Sequence, residues 1–184
     1  MGTRHLIEVI SNGERKVSQY GQWDGYPTGQ GVRVLGFLKK MNKTHFIKQL
    51  DKLEFVNDEV IDNMYTELRI QRMNGFISMD DAGKFGKKHP QLNRDTGAGI
   101  LTIINDYKLK RKKLPMGNAH SFADDKLFCE FKYVINFDDN TFEAFGCDGM
   151  LIGSFNLRKL PTIKNFVKEL ETKNDKLMNE KYGD

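Results

Sequence analysis

Thr3-Arg4-His5-Leu6-Ile7-Glu8-Val9-Ile10-Ser11-Asn12-Gly13-Glu14 is the stretch whose reading decides the fold. Alternation sends His5, Ile7 and Val9 to one face and Arg4, Leu6, Glu8 and Ile10 to the other. Apolar residues on both faces predict an interior strand covered on both sides. Asn12-Gly13 is a favoured hairpin dipeptide, because a type I′ turn needs positive φ at both central residues. Arg15 to Gly21 then returns as the second strand.

The hairpin empties into Tyr20-Gly21-Gln22-Trp23-Asp24-Gly25-Tyr26-Pro27-Thr28-Gly29-Gln30-Gly31, which holds the only Trp of the chain and two of its six Tyr. The glycines and the proline bend the backbone. A plain turn needs only those; Trp23, Tyr20, Tyr26, Gln22, Asp24 and Gln30 add flat faces and hydrogen-bonding tips. A pocket that grips a small polar molecule needs both sets. Val32 to Lys40 follows as a helix, and a glycine-rich entrance to a helix is a natural anion seat.

Downstream, Lys43 to Leu53 predicts a second helix with Phe46, Ile47, Leu50 and Leu53 inward. Asn57-Asp58-Glu59 predicts a cap for a third, with Val60, Ile61, Met64, Tyr65 and Leu68 inward. Residues 74–93 read as an insertion, either a long loop or a small accessory element. Arg94-Asp95-Thr96-Gly97-Ala98 predicts a helix start capped by Asp95 or Thr96. Leu114 to Asp125 reads as a linker. Leu127 to Asp138 carries the clearest strand alternation, with Cys129, Phe131, Tyr133, Ile135 and Phe137 on one face. Thr141 to Phe145 and Met150 to Leu157 predict two more strands, and residues 162–182 a C-terminal amphipathic helix. The expected fold class is α+β: an antiparallel sheet of the N-terminal hairpin plus three later strands, covered by helices, with an αββα-type sandwich as one form of it. Residues 1–184 read as a single domain.

Composition bounds the function. The chain has 184 residues, 39% hydrophobic and 29% charged, with net charge +4. That balance is mildly basic and does not by itself imply nucleic acid. Met1 to Ile10 carries Arg4, His5 and Glu8 inside its apolar stretch, unlike a secretory signal. No run approaches a membrane helix in length. Leu6 stands where a myristoylation motif needs Ser or Thr. Cys129 and Cys147 do not form a metal-ligand spacing, and no metal or cofactor is expected. The expectation is a cytoplasmic protein without a membrane partner; homo-oligomerisation stays open.

The residues expected to converge as a ligand-binding site are Arg4, Tyr20, Gln22, Trp23, Asp24, Tyr26, Gln30, Arg94, Asp95 and Glu130. Arginine suits phosphate or carboxylate through its planar fork, and the aromatics suit a base or sugar face. If the strand bearing Glu130 pairs beside the first strand, Glu130 can meet Arg4 as a ligand contact or a buried ion pair. His5 is expected to line the core beneath its strand, and His45, His89 and His120 show no partner in sequence; no Ser-His-Asp order, HExxH or P-loop occurs, so no catalytic residue is assigned.

Met1-Gly2-Thr3-Arg4, Tyr20 to Gly31, Arg94 to Ala98, Phe128 to Ile135 and Thr141-Phe142-Glu143 together resemble a family of small phage, bacterial and fungal proteins. The matches run from residue 1 to about residue 160. The resemblance implies a shared fold and one shared pocket, without a settled activity. Phage members of such families suit a counter-defence role, sequestering a nucleotide-derived immune signal. The leading expectation is therefore a non-enzymatic protein that binds a small anionic, nucleotide-derived ligand. An amide hydrolase of N-terminal-nucleophile type is the alternative, although Gly2 offers no nucleophile and Thr3 would need a further cleavage. A second alternative is nucleic-acid binding through Lys108 to Lys113, a run that lacks interleaved aromatics.

Overall fold

The computed structural model describes residues 2–72, 76–108 and 112–183. Its fold is α+β. Strands β1 (His5–Ser11), β2 (Glu14–Gly21), β5 (Phe131–Asn136), β6 (Thr141–Phe145) and β7 (Leu151–Asn156) form one sheet in the order β2-β1-β5-β6-β7. The hairpin turn is as predicted: Asn12 and Gly13 take φ of 58° and 72°, and the Asp138 carboxylate accepts both their N–H groups at 2.8 and 2.9 Å. All pairings in this sheet are antiparallel except β1 with β5, which run parallel with Ile7 opposite Tyr133. A parallel neighbour requires a long crossover. Residues 22–130 supply it, carrying α1 (Val32–Lys40), α2 (Lys43–Leu50), α3 (Asp58–Glu67), α4 (Met79–Lys88) and α5 (Gly99–Asn105). The crossover also carries β3 (Leu53–Phe55) and β4 (Leu114–Met116), which pair in parallel as a second small sheet.

Register explains the core. Ile7, Val9, Val17, Tyr133, Ile135, Phe142 and Ala144 share one face of the sheet and belong to one buried cluster. Val34, Leu35 and Leu38 of α1, Phe46 and Leu50 of α2, and Ile100, Leu101 and Ile104 of α5 join it. So do Phe166 and Leu170 of α6 (Ile163–Tyr182), whose start is capped by the Thr162 hydroxyl. On the opposite face Leu6 and Val134 are buried outside that cluster, and His120, from the segment between β4 and β5, bonds to Glu8 there.

Several boundaries differ from the sequence reading. α2 stops at Leu50, so Leu53 opens β3 instead of closing a helix. The predicted Asn57 cap holds, its side chain accepting from Val60 N–H at 3.0 Å, but none of α3 is fully buried. The insertion contains the helix α4, capped by Ser78 and pinned by Phe85 against Tyr65. Gly83 and Gly86 inside it blurred the helical signal. α5 starts only at Gly99, so neither Asp95 nor Thr96 caps it: Asp95 N–H bonds to Asn93 Oδ1, and Thr96 Oγ1 donates to Pro90 O.

Candidate functional site

At the end of β2 the loop is held from below. Gly25 N–H donates to Thr3 O at 2.9 Å, and the buried Tyr133 hydroxyl donates to Gly25 O at 2.7 Å. Burial drives the Tyr133 phenol well above its ordinary pKa, so it remains a donor. A Cβ on Gly25 would meet Thr3 O at 2.9 Å, and one on Gly21 would sit 2.1 Å from the His5 ring; only glycine lets the loop lie this close to β1. His5 is fully buried, and neither ring nitrogen has a hydrogen-bond partner among the described residues. Burial pushes its pKa down to about 4; the Thr3 carbonyl and Asp24 pull it only partly back.

The turn that follows, Pro27–Gly31, is one wide π turn. Three of its N–H groups are spent internally: Gly29 and Gly31 donate to Tyr26 O, and Gln30 to Asp24 O. The expected anion seat at this glycine-rich helix entrance is therefore occupied by the loop's own carbonyls. Gln30 is buried and bridges two elements: Nε2 donates to Trp23 O at 3.2 Å and Oε1 accepts from Ala98 N–H at 2.9 Å. It thereby fixes the residue that precedes α5, while the first N–H groups of the helix bond to the backbone carbonyls of Thr96, Gly97 and Ala98. Gln22 is also engaged, its N–H on Arg94 O at 3.2 Å and its Oε1 taking the Tyr20 hydroxyl at 2.5 Å.

Trp23 and Tyr26 remain 50% and 53% exposed, with the exposed Asp24 between them at φ 58°. Tyr20 sets its ring edge-on to Phe122 at 4.8 Å. Arg4 meets Glu130 through its backbone, its N–H donating to Oε1 at 3.1 Å, while its guanidinium stacks 4.4 Å from the Phe128 centroid. The strand pairing predicted for this contact exists; the side-chain ion pair does not. Arg94 is 67% exposed, with only a loose 3.9 Å approach to Asp95. It lines two clefts. One, of about 310 Å3, includes Ser18, Tyr20, Asp58, Gln91 and Asn118 in its lining. The other, of about 670 Å3, includes Tyr65, Phe76, Met79, Phe85 and Asp95. Tyr20, Arg94 and Asp95 thus line the clefts, with Gln22 bonded to Tyr20 and Arg94 behind them, whereas Arg4 contacts Glu130 and Phe128 separately.

A polar cluster on the opposite sheet face escaped the sequence reading. Glu8 is buried, and its Oε1 lies 2.8 Å from His120 Nδ1, 3.4 Å from Ser18 Oγ and 2.7 Å from Arg15 Nε. The Arg15 N–H points off the oxygen, making that approach a charge contact. His120, read in sequence as partnerless, is therefore oriented by a carboxylate. Ser18 stands opposite Glu8 in the hairpin register, a signal readable in the alternation; His120, 112 residues away, carried none. His45 and His89 also have neighbours: His45 Nε2 lies 2.9 Å from Asn105 O, and the His89 ring packs on Phe85.

Among the described residues no group of three or more His, Cys, Asp and Glu could hold a metal, and no helix is long and apolar enough to cross a membrane. Thr3 is buried, with its carbonyl engaged by Gly25. Of the basic run Lys108 to Lys113, residues 109–111 lie outside the described residues. No family model, curated protein or solved structure matches the chain.

Proposed function

We propose that the protein binds a small anionic, nucleotide-derived ligand in the two clefts that meet at Arg94. The observation that carries this reading is Arg94 itself. It is an exposed guanidinium, common to both cleft linings, without a close ion-pair partner. Its backbone carbonyl is fixed by Gln22 N–H, so the fork starts from a braced position. The cleft volumes of about 310 and 670 Å3 suit a ligand of nucleotide size. Tyr20 supplies an aromatic wall in one cleft, and Tyr65, Phe76 and Phe85 supply it in the other.

The resemblance to phage, bacterial and fungal proteins fits sequestration of such a ligand in the cytoplasm without turnover. Calorimetric titration with cyclic nucleotides and ADP-ribose derivatives tests the reading. At least one should bind saturably, and Arg94→Ala should weaken it roughly tenfold, the scale of one charge-assisted contact. Silence across the whole anionic panel, or undiminished affinity in Arg94→Ala, would overturn it.

A further inference from the structure

A third cleft, of about 450 Å3, lies between α1 and α5. Arg33, Gly36 and Lys40 line it from α1, Phe37 and Met41 complete that side, and Thr102 and Asn105 line it from α5. Arg33 and Lys40 are seven residues apart, so two helical turns, about 10 Å of rise, separate their backbones. Both are exposed, and among the described residues neither joins an ion pair. No carboxylate lines the cleft. Asp106 is near it but is bonded by the Asn105 side-chain amide at 2.9 Å. Between the two cations stands Gly36. A Cβ there would meet nothing within 4 Å, so packing does not demand glycine. Glycine inside a helix costs helix stability. What its absent side chain provides is an open floor between two cations.

We infer that this groove is a second anion site, distinct from the clefts at Arg94, and that it takes a phosphate-bearing small molecule. Arg33 and Lys40 close on the phosphates from either end, Thr102 Oγ1 donates from the rim, and Gly36 admits the ligand to the helix backbone. Two cations without a carboxylate in the lining select an anion with more than one charge. Arginine's fork pairs bidentately with phosphate as it does with carboxylate, so the preference for phosphate comes from its higher charge, which both cations meet.

The test is a 15N-resolved NMR titration of the full chain with inorganic pyrophosphate, with glutarate as a dicarboxylate control. Saturable shifts should appear at the amides of Arg33, Gly36, Lys40 and Thr102, with glutarate much weaker. The double variant Arg33→Ala/Lys40→Ala should weaken pyrophosphate roughly tenfold or more. Gly36→Glu, whose new side chain enters open space, should do the same in a chain that keeps its native circular dichroism. Arg94→Ala should leave these shifts intact, which separates this site from the proposed ligand clefts. Wild-type affinity in the double variant, shifts confined to residues around Arg94, or an equal response to glutarate would overturn the inference.

Discussion

The loop at residues 21–31 and the clefts at Arg94 are neighbours built from similar residues, yet they use them in opposite ways. In the loop, Gln30 engages the protein through its N–H and both side-chain ends, and Gln22 through its N–H and Oε1. In the clefts, Arg94 is braced through its backbone and left open at its side chain. The difference teaches that a polar, glycine-rich composition marks a place where the chain bends tightly, and that only hydrogen-bond accounting separates a brace from a binding group. Loop substitutions should therefore damage stability, and cleft substitutions should damage binding.

The largest effect is expected from Gln30→Leu. It strands Ala98 N–H and Trp23 C=O together, and one buried and one part-buried orphan should together cost about 4 kcal/mol in chemical denaturation. A loss below about 1 kcal/mol would mean that water replaces the brace and that the loop is softer than its bonding implies.

Acid comes next. His5 has a pKa of about 4 when folded against 6.5 as its ordinary value, so the unfolded chain takes up the proton first. Stability is complete above about pH 6.5 and falls as pH drops toward 4. The total loss is about 3 kcal/mol for a shift of this size. His5→Phe should flatten that part of the pH–stability curve. An unchanged curve in the variant would show that His5 does not titrate with folding.

Tyr133→Phe removes the donor to Gly25 O and should cost about 1.5 kcal/mol by thermal unfolding, with ligand affinity reduced only through a looser loop. Smallest of all, Arg94→Ala should change stability by no more than about 0.5 kcal/mol, since its side chain is largely exposed. A large destabilisation from Arg94→Ala would break the contrast by making it a structural residue like Gln30.

The sequence by itself determined the local elements. Alternation in Thr3 to Ile10 and in Leu127 to Asp138 revealed the strands, the second trimmed by the fold to Phe131–Asn136, Asn12-Gly13 revealed the hairpin, and Asn57 its helix cap. Each is a signal carried within a few residues, where backbone geometry and side-chain period act directly. What only the tertiary structure decided is which distant groups meet. The parallel pairing of β1 with β5 joins residues more than 120 apart and sets the Arg4–Glu130 contact. Gln30 holds Ala98, at the entrance of α5, from 68 residues upstream, and His120 reaches Glu8 from 112 residues downstream. A hydrogen bond requires two groups about 3 Å apart, and no local pattern encodes the partner's address. For that reason the loop was legible as unusual, while its division into braces beneath and open aromatic faces above became visible only once the chain had folded.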